Sequence, residues 1–250
     1  MRPRVPFLAI AALVWALAGP VRAEQPLLAD LTSHLIAITT GFTGTSVVLF
    51  GTIDGPGDIV AIVRGPEQDV VLRQKRHLAG IWINVRSVVF ASVPSYYAVF
   101  SNRVLDEIAS PATQGLHQIG VGNIRLEARD PASHTAAEIA TFRQALLDAQ
   151  RREGLYAERP GSVSFLGDRL FRATIDFPAN VPTGTYLVEV LLVRNGAVVT
   201  GQTTPLVVSE IGLNADLNEF ALRDALLYGL AAVAGAVLLG WLASLPFRHS

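Results

Sequence analysis

The feature that most constrains this chain is a stretch near its C-terminus, residues 225–245, that contains no charged side chain. As a helix rising 1.5 Å per residue, about 21 residues would cover roughly 30 Å, the thickness of the hydrocarbon layer of a bilayer. Arg223 and Asp224 precede the stretch and Arg248 follows it; each charge would cost about 3 kcal/mol at mid-bilayer. The pattern predicts one C-terminal transmembrane helix. The alternative, a helix buried in a soluble core, rarely runs so long without a charge.

The N-terminal residues have the pattern of an export signal. Arg2 and Arg4 precede the apolar residues 5–18, and residues 21–23 offer a signal peptidase a cleavage site. An uncleaved N-terminal anchor is the alternative. Export would place the body of the chain outside the cytoplasm, and Arg248 in the short tail would then follow the positive-inside tendency. The sequence thus predicts a single-pass protein of the bacterial cytoplasmic membrane, with most of the chain in the periplasm.

Composition excludes several kinds of site. The formal charge is −1, and removing the three arginines Arg2, Arg4 and Arg22 with the export signal leaves −4, which does not suit a nucleic-acid partner. Cysteine is absent and the only methionine is Met1, so thiolate sites, thioether sites and thiol redox chemistry are excluded. We therefore predict no cofactor, and a lipid bilayer rather than nucleic acid as a partner.

The body of the chain is predicted to be mainly β. Short runs rich in Val and Ile lie on both sides of a helical pattern, which favours immunoglobulin-like antiparallel β-sandwich modules over βαβ units. Separate strands are predicted at residues 80–84 and 87–91, and Asn195 with Gly196 predicts a two-residue hairpin turn. One composite sandwich or two modules are both open, with two favoured. The predicted organisation is a signal peptide at 1–23, an N-terminal β module at 24–128, a helical insertion at 129–158, a C-terminal β module at 159–212, a juxtamembrane segment at 213–224, the transmembrane helix at 225–245 and a cytoplasmic tail at 246–250.

The helical insertion has two alternative starts. Asp130, before a proline, is a suitable N-cap, and Thr135 with Glu138 has the spacing of a capping box. Either start leads into an amphipathic helix of about 18 residues that ends near Gly154. A shorter helix is predicted upstream at residues 111–117.

Several runs of the sequence are idiosyncratic: residues 31–44 (LTSHLIAITTGFTG), 54–58 (DGPGD), 80–84 (GIWIN), 93–97 (VPSYY), 154–156 (GLY), 178–182 (PANVP) and 227–230 (LYGL). In these runs the chain resembles the Alph_Pro_TM family of alphaproteobacterial transmembrane proteins over nearly its whole length. The resemblance implies a membrane protein with no assigned activity and no catalytic residues to carry over. It also implies an accessory role beside a permease.

Motifs of common enzymes are absent from the sequence. It contains no Gly-x-Ser-x-Gly, His-Glu-x-x-His or Ser-x-x-Lys pattern. No two histidines lie at a spacing typical of metal ligands; they are His34, His77, His117, His134 and His249. We therefore predict that the protein is not an enzyme and has neither catalytic residues nor a metal site.

The only dense basic cluster lies at residues 73–77. On a strand, Arg73, Lys75 and His77 share one face. Such a face could bind a small anion or lie against acidic lipid headgroups. The alternative is a solvated edge strand whose charges prevent pairing with other chains.

Small residues recur at three- and four-residue steps in the apolar stretch. They are Ala225, Gly229, Ala232, Ala236, Gly240 and Ala243. Such a stripe lets another transmembrane helix approach closely, although Ala and Gly are also common in spans by chance. The sequence therefore predicts a non-catalytic, membrane-anchored periplasmic accessory or interaction protein that partners another membrane protein. A periplasmic module that binds or senses a small anion is the second prediction.

Overall fold

The computed structural model describes residues 26–78 and 80–211, together with Gly229, Val233, Ala234, Ala236 and Val237, and the side chains of residues 76–78 and 81–84 are outside this description. The described part is mainly β, as the sequence predicts. The strands are β1 (Leu27–Leu31), β2 (Leu35–Ile38), β3 (Gly44–Ile53), β4 (Asp58–Arg64), β5 (Glu67–Leu78), β6 (Ile81–Pro94), β7 (Tyr97–Ser101), β8 (Glu127–Ala128), β9 (Gly161–Leu166), β10 (Leu170–Pro178), β11 (Gly184–Arg194) and β12 (Ala197–Glu210). The α-helices are α1 (Leu105–Ile108), α2 (Pro111–His117) and α3 (Ala136–Arg152).

Nine of these strands form one sheet in the order β1-β3-β10-β9-β7-β4-β11-β12-β2. Buried and exposed residues alternate along the strands, as in β10, where Phe171 and Ile175 are buried, because successive side chains point to opposite faces. Strands from residues 24–128 and 159–212 interleave, since β10 lies against β3 and β11 against β4. The two regions therefore build a single sheet and not the two separate modules that the sequence favours.

The sheet curls until its two ends meet. Its first and last strands, β1 and β2, are consecutive in the chain and are joined by residues 32–34 alone. Next to this connection the side-chain amide of Gln202 on β12 accepts from the N–H of Ala29 at 3.0 Å and donates to the carbonyl of Ala29 at 2.7 Å. The antiparallel prediction fails at two pairs of the sheet, β2 with β12 and β7 with β9, which are parallel. The chain crosses from β1 at one end of the strand order to β2 at the other, and β2 then runs parallel to β12.

Aromatic side chains fill the core at one end of the sheet. The ring of Tyr96 lies 5.3 Å from that of Phe177 and 5.8 Å from that of Tyr186. Each phenol has a backbone acceptor: Tyr96 donates to the carbonyl of Asp176 at 2.9 Å, and Tyr186 donates to the carbonyl of Pro182 at 2.7 Å. Buried hydroxyl groups need such partners, so the cluster fixes the loop before β11 against the sheet.

The helical insertion starts at Thr135. Its hydroxyl accepts from the N–H of Glu138 at 3.2 Å, and the Glu138 carboxylate accepts from the N–H of Thr135 at 3.0 Å, which completes the capping box. The other start, Asp130, precedes a 3-10 turn, Pro131–Ser133, and not the α-helix. The short helix α2 has the predicted bounds. The insertion is tied to the C-terminal end of β6 by Tyr156, whose hydroxyl donates to the carbonyl of Pro94 at 2.6 Å.

Strands β5 and β6 form a long hairpin, which we call the arm. Residues 81–84 and 87–91, predicted as parts of two strands, belong to the single strand β6, and Gly80 lies in the turn before it. The pairing of β4 with β7 continues into the arm without a break: Arg64 lies opposite Tyr97, the Gly65 N–H donates to Tyr96, the Ser95 N–H donates to Pro66, and Glu67 lies opposite Pro94. The arm is therefore an extension of the β4–β7 ribbon beyond the end of the nine-stranded sheet.

The predictions for both chain ends fall mostly outside the described residues. These are the signal peptide at 1–23, the juxtamembrane segment at 213–224, the tail at 246–250 and most of the transmembrane helix at 225–245. Within that last stretch the described residues, among them Gly229 and Ala236 of the small-residue stripe, are helical and exposed. Ala225, Ala232, Gly240 and Ala243 lie outside the description. In the part of the chain that the structure covers, no helix combines the length and apolar character needed to cross a membrane.

Candidate functional site

The arm has an apolar inner face near its base. Val88 and Phe90 on β6 are buried, and Val70 and Leu72 on β5 lie opposite them in the register. Val88 and Phe90 belong to the main hydrophobic core together with Phe142 of α3, and Val70 and Leu72 are partly buried against that core. Burial of this face holds the base of the arm against the helical insertion.

Among the described side chains, two ion pairs join the arm to the helical insertion. Arg86 on β6 pairs with Glu138, in the first turn of α3. Nearer the base, Arg129 pairs with Asp69 on β5. Because Asp69 precedes Val70 and Arg86 lies opposite Gln74 in the register, the two ion pairs lie on either side of the apolar inner face.

A groove of about 460 Å³ lies between the arm and α3. Its lining comprises Leu72, Arg73, Gln74, Arg86, Ala137, Glu138, Thr141, Phe142 and Ala145. Two arginines and one glutamate leave a single net positive charge there. The N-terminus of α3 is already occupied by its capping box, so an anion in the groove would have to compete with Glu138 for Arg86.

The three residues predicted to bind an anion do not converge in the groove. Arg73 lines it, Lys75 is exposed and does not line it, and the side chain of His77 lies outside the description. Arg86 and Glu138 were missed as site residues. Arg86 lies opposite Gln74, next to the basic cluster, only when residues 81–94 form one strand. The sequence predicts two strands there, and this register does not follow from them.

The outer face of the arm is exposed and combines apolar with basic side chains. Val71 is 50% exposed and Val85 is 40% exposed. Lys75 is also exposed, and it shares the face of Val71 because side chains alternate along a strand. Arg73, between them on β5, is exposed too but also lines the groove. This face, unlike the inner one, is available to a partner.

The arm extends from the end of the sheet at which the chain leaves it for residues 212–250. Close to its C-terminal end β12 pairs through Val208 with Gly184, the first residue of β11. Because β11 is antiparallel to β4, Gly184 lies at the end where β4 continues into the arm. A Cβ on Gly184 would lie 2.7 Å from the Cγ of Pro66, directly before the arm. The C-terminal exit and the base of the arm are therefore neighbours.

The strongest pKa shifts belong to tyrosines of the core rather than to the groove. Burial raises the pKa of Tyr96, Tyr97 and Tyr156 far above the usual value, and burial raises the pKa of Tyr186 to about 12. The hydroxyl of Tyr97 donates to the carbonyl of Gln118 at 2.5 Å and accepts from the N–H of Gly120. These phenols are neutral near pH 7 and serve as structural hydrogen-bond donors. Among the described residues, no three His, Asp or Glu side chains gather as metal ligands would.

A family model described as "Putative transmembrane protein (Alph_Pro_TM)" matches residues 26–249. The chain belongs to this family. The match covers the β-rich body, the arm and the apolar residues 225–245, so the features described above lie within one Alph_Pro_TM unit. No curated protein matches the chain.

Proposed function

We propose that this Alph_Pro_TM protein is a non-catalytic accessory protein of the bacterial cytoplasmic membrane. In this proposal residues 225–245 anchor it, residues 24–224 lie on the periplasmic side, and its partner is another membrane protein, such as a permease. The observation that carries the proposal is the common location of the C-terminal exit and the arm at one end of the sheet. A body anchored from that end turns the arm towards the bilayer and whatever lies in it.

The distances suit this arrangement. Residues 212–224 can span at most about 45 Å when extended. Strand β5, with 12 residues, is about 40 Å long at 3.3 Å per residue. The connection from β12 to the anchor is therefore long enough for the arm to stand between the body and the membrane.

The strand order supports an immunoglobulin-like arrangement as part of the proposal. In immunoglobulin terms β1, β3, β10 and β9 correspond to strands A, B, E and D, and β7, β4, β11, β12 and β2 to C′, C, F, G and a parallel A′. The hydrogen bond from Tyr186 at the start of β11 back to Pro182 resembles the tyrosine corner of that fold. Such folds host many functions, so the arm and the anchor carry the functional argument.

The small-residue stripe gives the proposal a direct test. Full-length protein is purified in mild detergent from native membranes, as wild type and as the triple variant Gly229→Leu, Ala236→Leu, Gly240→Leu. Bulky side chains on a helix-packing face prevent close approach, so a co-purifying membrane protein should be lost from the variant. Ala234→Leu matches the Ala236→Leu substitution alone, about half a turn away on the helix, and should retain the partner.

Two outcomes contradict the proposal. Wild-type protein that purifies from native membranes with no membrane protein attached would remove the accessory role. A partner retained equally by the triple variant and by Ala234→Leu would remove the stripe as its binding face.

A periplasmic anion-binding module is the second candidate, favoured by the groove with Arg73 and Arg86. If the groove binds a small oxyanion, calorimetry with sulfite or sulfate should give saturable heat that Arg86→Ala abolishes. Lys75→Ala, outside the groove, should leave that heat unchanged. Wild-type protein that gives no heat with either ion rules out sulfite and sulfate as ligands.

A further inference from the structure

The end of the arm is an apolar turn with basic residues before and after it in the sequence. We call residues 77–83 the tip; its sequence is HLAGIWI. The register places Leu78 opposite Ile81, and Gly80 with φ +87° lies in the turn between the two strands. Residues 73–86 contain three arginines and one lysine and no carboxylate, although the whole chain has a formal charge of −1. Positive charge is thus collected around an apolar turn.

The described part of the arm next to the tip has the same character. Val71 and Val85 are exposed large apolar side chains, and Arg73 and Lys75 are exposed beside them. Of the side chains that the structure describes, Arg86 and Glu138 form the ion pair farthest along the arm that joins it to the helical insertion. The tip comes after this contact along both strands, farther from the sheet than the part that α3 covers.

We propose that the tip inserts into the headgroup layer of the same bilayer that holds residues 225–245, with Arg73 and Lys75 against anionic phospholipids. The inference rests on the proposed anchoring, which turns the arm towards that bilayer. Tryptophan is enriched at membrane interfaces, and Trp82 is the tryptophan of the tip. Basic side chains within a Debye length of an anionic leaflet are attracted to it. The tip is then a second attachment that fixes the tilt of the body over the membrane.

The absence of cysteine from the chain permits a clean fluorescence test. Full-length Ala79→Cys, labelled with the environment-sensitive dye NBD, is reconstituted into vesicles of phosphatidylethanolamine and phosphatidylglycerol. The emission should shift to the blue relative to the protein in detergent-free amphipol, and lipids with a shallow nitroxide should quench it by at least one third. Asp168→Cys, exposed in the turn between β9 and β10 at the other end of the sheet, should show neither effect.

The charge contribution has a matched control. Arg73→Ala with Lys75→Ala should at least halve the quenching at position 79, as should replacing phosphatidylglycerol with phosphatidylcholine. Arg169→Ala with Arg172→Ala removes the same charge from exposed residues at the start of β10 and should leave the quenching unchanged. Ile81→Ser with Trp82→Ser should abolish the blue shift in either lipid.

The outcomes separate the inference from the anchoring on which it rests. If the protein resists extraction from vesicles by alkaline carbonate but the dye at position 79 emits as in water, the anchor holds and the inference is wrong. If carbonate extracts the protein, the anchoring itself is wrong. Crosslinking of position 79 in native membranes to a protein, in place of lipid quenching, would assign the tip to a protein partner and overturn the inference.

Discussion

Gly184 and Pro66 meet where the arm joins the sheet, and a Cβ on Gly184 would lie 2.7 Å from the Cγ of Pro66. Gly184 also has φ +138°, a conformation that other residues rarely adopt. This contact places the start of the arm against the first residue of β11. It therefore links the direction of the arm to the end of the sheet at which the chain leaves β12.

Gly184→Ala should lower the free energy of unfolding by about 1–3 kcal/mol, because the methyl group both strains the backbone and collides with Pro66. Denaturation with urea of the full-length protein in detergent measures the change. Gly115→Ala is the matched control: it lies within α2, where a Cβ meets nothing within 4 Å. Gly115→Ala should leave stability unchanged or raise it by about 0.5–1 kcal/mol. Equal effects of the two substitutions would show that the contact with Pro66 does not matter.

Gln202→Ala should destabilise the protein by about 1–3 kcal/mol, because it leaves the buried N–H and carbonyl of Ala29 without their partners. Hydrogen exchange should show the amide of Ala29 losing its protection. Gln144→Ala, which removes an exposed hydrogen bond to Asp148, should change stability by less than about 0.5 kcal/mol. An unchanged midpoint of urea denaturation for Gln202→Ala would mean that this side chain does not hold β12 against β1.

Thr135→Ala should cost about 1 kcal/mol through loss of the capping box of α3. Since Glu138 takes part both in the cap and in the pair with Arg86, the groove should also become more open to solvent. Thr141→Ala is the control: it makes the same truncation at an exposed residue that lines the groove but takes no part in the cap, since its hydroxyl donates to the carbonyl of Ala137. We expect circular dichroism to show loss of helix at a lower urea concentration for Thr135→Ala but not for Thr141→Ala.

Alkaline pH should destabilise the fold through its tyrosines. The folded-state pKa of Tyr186 is raised to about 12 from an ordinary value of 10.0, so the folded state holds this proton more tightly than the unfolded state does. Its stabilising contribution is complete below pH 10 and is lost as the pH rises from 10 to about 12. Tyr186→Phe should flatten this decline in stability between pH 10 and about 12. A decline between pH 10 and about 12 that is as steep in Tyr186→Phe as in the wild type would contradict the prediction.

The sequence was sufficient for local features and insufficient for long-range pairing. Thr135 with Glu138, Asn195 with Gly196, and the bounds of α2 follow from contacts within a few residues, and each is observed. The pairing of β3 with β10 joins residues more than a hundred positions apart, and no local pattern encodes it. For the same reason the two regions 24–128 and 159–212 appear separate in the sequence although they share a sheet.

In the candidate site, too, the sequence predicts the residue that depends on local pattern and not the residues that depend on long-range contacts. Arg73 was found because basic residues cluster along the chain, and it does line the groove. Arg86 and Glu138 are brought together by the hairpin register and by the placement of α3, neither of which is a local property. Asp130 competed with Thr135 as a helix start because both have suitable N-cap chemistry; only Thr135 has Glu138 three residues later to complete the box.

The most direct test of the account is the side of the membrane on which the body lies. Single cysteines at Asp168 and Ser250 in the full-length protein are treated with a membrane-impermeant maleimide on intact spheroplasts. We expect Asp168→Cys to be labelled at once and Ser250→Cys to be labelled only after the membrane is permeabilised. Labelling of Ser250→Cys in intact spheroplasts, or protection of Asp168→Cys until permeabilisation, would contradict the account.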